Sequence, residues 1–318
     1  MEKQPLIILT GPTAVGKTSL SIKFAKMTEG EIISADSMQV YKYMDIGSAK
    51  IMQSQMQGVS HHLIDVLEPT EDFNVVNFQR MCKSAMNTIY GRKKLPIITG
   101  GTGFYIQSVL YDIDFTENEE DSVYRRELGN IAKNYGAEVL HKRLMEVDAA
   151  SAEAIHANNI KRVIRALEFY EQTGMRISEH NEKERQKQSA YNSCYFVLTD
   201  EREKLYRQID RRVDLMLEQG LVQEVEGLKA RGLHKGQVSM QGLGYKEILA
   251  FLDGEMSLDE AVYIIKRDTR HFAKRQLTWF RREKDVIWVD KQAFDYDEEK
   301  MLAFMLDKMA EKGIATVR

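Results

Sequence analysis

The sequence predicts an α/β protein with a P-loop NTPase-like parallel sheet core flanked by helices, together with an all-helical insertion domain. Short apolar runs alternate with helical patterns up to about residue 110. The first run leads into a glycine-rich turn of the phosphate-binding type. Residues 122–185 show helical periodicity and no strand candidate. We therefore expect a core formed by 1–115 and 190–318, and a helical insertion over 116–189.

Composition limits the class of protein. The chain has 318 residues, a formal net charge of -3 and two cysteines, Cys82 and Cys194, which form no metal-ligand motif. No apolar run approaches the roughly 20 residues needed to cross a membrane, and residues 5–9 are too short for a signal-peptide core. We expect a cytoplasmic monomer without a disulfide framework or a zinc site.

The glycine-rich turn is GPTAVGKT at residues 11–18, between a strand candidate at 6–9 and a helix candidate at 19–27. Glycines let backbone N–H groups surround an oxyanion, and the helix adds its positive N-terminus. The lysine neutralises phosphate charge and the Thr18 hydroxyl can bind Mg²⁺. The motif predicts a polyphosphate and Mg²⁺ but does not specify ATP. The predicted phosphate-binding residues are Gly11, Thr13, Ala14, Val15, Gly16, Lys17 and Thr18.

A second metal ligand of the kind found in ATPases is hard to find. Such enzymes hold Mg²⁺ partly through an aspartate that closes an apolar strand. Asp65 follows only two apolar residues, and Asp290 ends a better run at 286–290 near the C-terminus. We interpret 286–290 as an edge strand with a solvated aspartate.

Two further strand candidates end in polar loops. The run at 31–35 is followed by Asp36, which fits a general base or Mg²⁺ partner and equally a helix N-cap. The run at 95–99 is followed by three glycines and Thr102; this pattern fits either close approach to a ligand or a tight strand-to-helix turn. Three strands with polar loops at one edge favour a binding site there.

The rest of the chain is mainly helical. The acidic run 117–121 marks a domain boundary, and 194–198 reads as a strand that returns to the sheet. Helices are predicted at 74–91, 201–219, 221–231, 244–253 and 257–283.

Positive charge is concentrated in two segments. Residues 266–284 hold eight Lys or Arg against two Asp or Glu, with aromatic residues between them. In the insertion, Arg162 and Arg165 lie three residues apart on one helical face. In a chain that is acidic overall, these patches fit either solvated helix faces or contacts to a nucleic-acid backbone.

Several motifs together resemble the tRNA dimethylallyltransferases, also called tRNA isopentenyltransferases. They extend in family order from residue 6 to about 290, and the last thirty residues fall outside them. The motifs are GPTAVGKT at 11–18, ADSMQVYKYMDIGSAK at 35–50, HHLIDV at 61–66, ITGGTGFY at 98–105, KRVIRALEFYEQTG at 161–174, IDRRVDLML at 209–217, QGLGYKE at 241–247 and KRQLTWFRR at 274–282.

The resemblance implies transfer of the dimethylallyl group of dimethylallyl diphosphate to the exocyclic amine of the adenosine just 3′ of the tRNA anticodon. Asp36 is then the general base, Thr102 positions the amine, and the phosphate loop with Mg²⁺ holds the leaving diphosphate. Arg212, with Arg211 as the alternative, stabilises that leaving group. The implied tRNA-contacting residues are Asp36, Ser37, Met38, Gln39, Lys161, Arg162, Arg165, Gly242, Tyr245, Lys246, Lys274, Arg275, Gln276, Trp279 and Arg281.

Other functions remain possible at this point: an isopentenyltransferase for free AMP or ADP, a nucleotide-kinase-like phosphotransferase, and a P-loop RNA-binding switch without chemistry. The basic C-terminal segment favours tRNA, because a mononucleotide would not need it. No lid with several catalytic arginines is evident, as a kinase would require.

Overall fold

The computed structural model describes residues 3–115 and 123–314. The chain divides into two compact units. The first consists of residues 1–110 and 190–318, and the second of 111–189. The predicted boundary near residue 115 lies close to this division, and the acidic run 117–121 lies outside the described residues.

The first unit is built on a six-stranded parallel sheet with the strand order β3-β2-β4-β1-β5-β6. This sheet and its flanking helices confirm the predicted fold class. Strand β1 lies inside the sheet and its residues 6–10 are completely buried, as expected for a parallel strand covered on both faces. The strands are β1 Pro5–Thr10, β2 Glu31–Ala35, β3 His61–His62, β4 Pro96–Gly100, β5 Asn192–Thr199 and β6 Val286–Asp290.

Thirteen helices occur in the described parts of the chain, and α4 to α8 belong to the second unit. Most of the helices predicted in the core begin and end within three residues of the predicted bounds. The helices are α1 Lys17–Thr28, α2 Val75–Gly91, α3 Gly103–Leu110, α4 Val123–Tyr135, α5 Ala137–Val147, α6 Ala149–Ala154, α7 Ile160–Thr173, α8 Ile177–Gln186, α9 Arg202–Glu218, α10 Leu221–Ala230, α11 Tyr245–Leu252, α12 Leu258–Phe280 and α13 Glu298–Glu311.

A long loop from residue 36 to 60 connects β2 to β3, and one buried lysine organises it. The Lys50 side chain is 1% exposed. Its Nζ donates to the Tyr41 carbonyl at 2.6 Å and pairs with Asp45 at 2.6 Å and Asp65 at 2.5 Å. Two carboxylates and a carbonyl compensate the cost of burying this charge, so the loop is held in one shape.

The second unit has its own apolar core, formed by residues such as Leu128, Leu140 and Leu167. Next to that core, the Glu168 side chain is 1% exposed and pairs with Arg125 at 2.6 Å. In neither described part of the chain does a helix combine the length and the hydrophobicity needed to cross a membrane.

Candidate active site

Three loops meet at the carboxyl edge of the sheet. Thr10, Ala35 and Gly100 are register partners at the ends of β1, β2 and β4. The Thr10 hydroxyl donates to the Gly100 carbonyl at 2.6 Å, and the Thr102 N–H donates to the Ala35 carbonyl at 3.4 Å. The residues that follow each strand are therefore brought together, as the sequence predicted.

The phosphate loop, residues 11–16, presents an open helix N-terminus. Gly16 is the N-cap of α1 with φ 97°, and α1 has neither a side-chain cap nor an acidic residue in its first turn. Its first N–H groups are thus available to an anion. Ala14 is left-handed with φ 64°, a conformation that costs a non-glycine residue about 1 kcal/mol.

Lys17 closes this loop. Its Nζ donates to the carbonyls of Gly11 at 3.0 Å and Pro12 at 2.8 Å. Burial, helped by the positive charge of Arg212, lowers the pKa of Lys17 to about 7, and the negative charge of Asp36 opposes that shift. Burial likewise lowers the pKa of Arg212, again opposed by Asp36. Two cations and one carboxylate therefore converge beside the open helix end, an arrangement that attracts a multiply charged anion.

Asp36 forms a turn. Its Oδ1 accepts the N–H of Met38 at 2.8 Å and of Gln39 at 3.3 Å. The sequence allowed a helix N-cap here, but no helix follows within these residues. With Oδ1 fixed by two backbone donors, the carboxylate has a defined orientation and Oδ2 can accept a proton from a substrate.

The two neighbouring arginines of α9 differ in environment. Arg211 is exposed, whereas Arg212 is half-buried and within electrostatic range of Lys17 and Asp36. Arg212 is thus the one placed at the phosphate loop.

The glycines after β4 have neighbours within the protein. A Cβ on Gly100 would lie 2.3 Å from the Ala35 carbonyl oxygen, one on Gly101 2.2 Å from Gln276 Nε2, and one on Gly103 2.2 Å from Trp279 Cδ1. Atoms of the protein thus fill the space beside each of these glycines, and α3 begins at Gly103.

Three residues named from the sequence as substrate contacts are engaged internally. The Thr13 N–H donates to Gln276 Oε1 at 2.9 Å, so that amide is not free for phosphate. Gln276 is 6% exposed, and Tyr245 is fully buried. The Tyr245 hydroxyl donates to Glu224 at 2.7 Å and accepts the Ser48 N–H at 3.1 Å. Burial of both side chains argues against a direct RNA contact.

Residues 37–39 are half-buried and lie at the start of the loop 36–60. The Gln39 amide donates to the Ala49 carbonyl at 3.2 Å. A Cβ on Gly242 would lie 2.6 Å from Met38 Cε, which shows that Gly242 packs against Met38. The nearby Lys246 is half-buried and pairs with Glu247 at 3.4 Å.

A basic groove of about 430 Å³ runs along α12. The predicted contacts Lys274, Arg275 and Trp279 line it, and Arg281 is exposed just beyond the helix end. The remaining lining residues are His271, Thr278 and Arg282.

The basic residues of α7, in the second unit, are not equivalent. Lys161 and Arg162 are exposed. Arg165 is half-buried, and its Nη1 is buried with no hydrogen-bond partner among the described residues. Burial lowers the pKa of Arg165, and the Glu168 charge opposes the shift.

Asp65 and Asp290, the two strand-end aspartates, have partners of their own. Asp65 pairs with Lys50, and the Asp290 carboxylate accepts the Gln292 N–H at 3.1 Å. Within residues 3–115 and 123–314, no group of three or more His, Cys, Asp or Glu side chains could hold a metal ion. Thr18 is exposed at the start of α1.

Comparison with known proteins gives the family. A family model described as IPP transferase matches residues 39–283. A protein from Lachnoclostridium phytofermentans named tRNA dimethylallyltransferase is 59% identical over 311 residues, covering 98% of this chain and 99% of that protein. The chain belongs to the tRNA dimethylallyltransferase family. The resemblance seen in the sequence motifs is thereby confirmed, and so is the predicted enzyme class, a transferase.

Other family members agree along nearly the whole chain. An Acetivibrio thermocellus protein of the same name is 51% identical over 92% of this chain and 94% of its own. The crystal structure of a Bacillus halodurans tRNA isopentenylpyrophosphate transferase is 43% identical, with a TM-score of 0.74 and 98% coverage of each chain. The structure of a eukaryotic dimethylallyltransferase acting on tRNA superimposes with a TM-score of 0.84 at 27% identity, covering 99% of this chain and 81% of that one.

In this family member, two residues near the site were missed from the sequence. Lys291 Nζ donates to the Val15 carbonyl at 3.3 Å and lies 3.8 Å from Asp200 Oδ2, so it braces the phosphate loop. Its position just after a strand was a usable signal. The Glu224 carboxylate accepts the N–H groups of residues 45–47 at 2.8, 2.7 and 3.1 Å. No local pattern indicates that long-range contact.

Proposed function

We propose that the protein transfers the dimethylallyl group from dimethylallyl diphosphate to the exocyclic amine of the adenosine 3′ to the anticodon of tRNA, releasing diphosphate. The observation that supports this most is the convergence of Asp36, Lys17 and Arg212 beside the open N-terminus of α1. It combines a base with a site for an anionic leaving group.

The leaving group is the first requirement of this chemistry. As the bond between the allylic carbon and the diphosphate oxygen breaks, its electron pair moves to the diphosphate. Lys17, Arg212 and the first N–H groups of α1 surround the place where that charge develops. Preorganised donors of this kind are typically worth about 3–4 kcal/mol each in the transition state.

The acceptor amine needs a base, because its lone pair is delocalised into the adenine ring. When the new N–C bond forms, the amine proton passes to Asp36 Oδ2, while Oδ1 stays bound to two backbone N–H groups. A positioned base typically contributes about 10²–10⁴ in rate. Thr102, held next to the end of β2 by its bond to Ala35, positions the amine.

The adenosine reaches this base only after it leaves the stacked anticodon loop. The half-buried residues Ser37, Met38 and Gln39 line the pocket that recognises the extruded adenine base. The α12 groove and the exposed Lys161 and Arg162 bind the RNA backbone.

Mg²⁺ fits this site as a companion of the diphosphate. The chain offers the Thr18 hydroxyl and no nearby carboxylate cluster, and Mg²⁺ commonly keeps water and phosphate oxygens as its other ligands. When bound, the ion would supply positive charge to the leaving group.

We also propose that the protein acts in the cytoplasm.

The test is incubation of the protein with labelled dimethylallyl diphosphate and either tRNA or AMP, followed by mass spectrometry of the nucleosides. We expect one modified adenosine in tRNA and none in AMP. Label in AMP alone would favour the free-nucleotide alternative, and brisk ATP hydrolysis would favour a kinase-like enzyme. The basic α12 groove is the observation that disfavours both.

A further inference from the structure

Gln276 joins two of the three loops of the candidate site. It lies on the inward face of α12, and one side-chain amide makes both contacts. Its Oε1 accepts the Thr13 N–H of the phosphate loop at 2.9 Å, and its Nε2 donates to the Gly101 carbonyl at 2.9 Å.

The local sequence is fitted to this amide. Gly101 has no room for a side chain, because a Cβ there would lie 2.2 Å from Gln276 Nε2. One turn further along α12, Trp279 fills the space above Gly103 in the same way. Two helix residues three apart thus pack on two glycines two apart, and the helix is seated directly on the segment that contains Thr102.

A side-chain amide meets both requirements. The Thr13 N–H needs an acceptor and the Gly101 carbonyl needs a donor, and a glutamine supplies one of each. A glutamate could accept from Thr13 but would place a carboxylate oxygen against the Gly101 carbonyl. A methionine of similar length would leave both backbone groups without a partner.

We propose that Gln276 is a positioning residue that sets the separation between the diphosphate, held by the phosphate loop, and the amine, held at Thr102. The proposal rests on the function proposed above. Transfer needs the amine nitrogen, the allylic carbon and the leaving oxygen in line, and a misplacement of about 1 Å can cost about 100-fold in rate. Gln276 is 6% exposed and its amide is engaged by these two contacts, so we expect its effect to be on geometry and not on binding.

Kinetics test this on Gln276→Met and Gln276→Glu, with Gln186→Met, an exposed α8 glutamine, as the matched control. We expect kcat at saturating substrates to fall about 10- to 100-fold in both Gln276 variants, with KM for tRNA and for the diphosphate changed less than about threefold. The control should behave as wild type. A loss confined to the KM for tRNA would make Gln276 an RNA contact and overturn the proposal, as would an unchanged kcat.

A double-mutant cycle tests the same contact from the other loop. Gly101→Ala should lower kcat by pushing the amide aside, yet should have no further effect when Gln276 is already alanine. Additive losses would contradict the proposal. The double-mutant cycle also tests the positioning role if Gln276→Met or Gln276→Glu fails to fold.

Amide hydrogen exchange at Thr13, followed by NMR, does not depend on which reaction is catalysed. Protection should persist in Gln276→Glu, which keeps the acceptor, and should be lost in Gln276→Met. Equal protection in both would overturn the proposed contact, whereas failure of tRNA modification with this exchange pattern intact would overturn only the proposed function.

Discussion

Replacement of Arg212 by alanine removes one of the cations at the phosphate loop. Arg212 is half-buried, and its charge is strong enough to help lower the pKa of Lys17 to about 7. A charged donor to a developing anion in such a site contributes about 2–4 kcal/mol to the transition state. We therefore expect kcat/KM for the diphosphate to fall about 30- to 1000-fold.

The neighbouring Arg211 is the matched control, because it is exposed on the same helix. Arg211→Ala should change kcat/KM less than about twofold in the same labelled-transfer assay. Arg212→Lys keeps the charge but loses the planar donors, so its loss should be intermediate. An Arg212→Ala enzyme within threefold of wild type, or an equal loss in Arg211→Ala, would refute the assigned role.

Three further predictions concern the base, the RNA surface and a half-buried acid. Asp36→Asn keeps an Oδ1 acceptor for the turn but cannot take a proton, so single-turnover transfer should fall at least about 100-fold. The affinity for tRNA in a filter-binding assay should stay within threefold of wild type, and near-normal transfer would exclude Asp36 as the base. Arg162→Ala should reduce the slope of log affinity for tRNA against log salt by about 0.7–0.9. Arg165 is half-buried, so Arg165→Ala should mainly lower the melting temperature. Equal slopes for both variants and wild type would argue against a contact to the RNA backbone. Burial raises the pKa of Glu283 to about 7 from its ordinary 4.5, so ionisation destabilises the fold as pH rises between these values. Glu283→Gln should thus increase the free energy of unfolding in urea by about 3 kcal/mol at pH 8 and hardly at pH 4, and the same gain at both pH values would contradict the assignment.

The strands and the phosphate loop could be predicted because their signals are local. A buried parallel strand such as β1 appears as an apolar run, and the glycine spacing after it follows from backbone geometry. The helix bounds were also predicted closely, because hydrophobic periodicity and the glycines that follow helix C-termini mark them. The loop 36–60 has no such period, and the Lys50 contacts that organise it were not foreseen.

The candidate site was predictable in its parts but not in its internal contacts. Lys274, Arg275 and Gln276 are consecutive, and all three were assigned to RNA. The helix period separates them, because Ala273, Gln276 and Phe280 are the buried positions of that face. A polar residue on an apolar face was the available signal for Gln276. The hydrogen-bond partners of Gln276 could not be predicted, since they lie more than 170 residues away in the sequence.

The strand order has a consequence for the newly made chain. β1 is synthesised first, and β5, its partner along all six residues from Pro5 to Thr10, only after the whole helical unit. At about 5–20 residues per second, the roughly 180 residues between β1 and β5 delay that partner by about 9–36 s. Throughout that interval one edge of an apolar strand has nothing to pair with, which is the kind of edge that promotes aggregation. The newly made chain should therefore depend on ribosome-associated chaperones more than the fully paired sheet of the folded enzyme suggests.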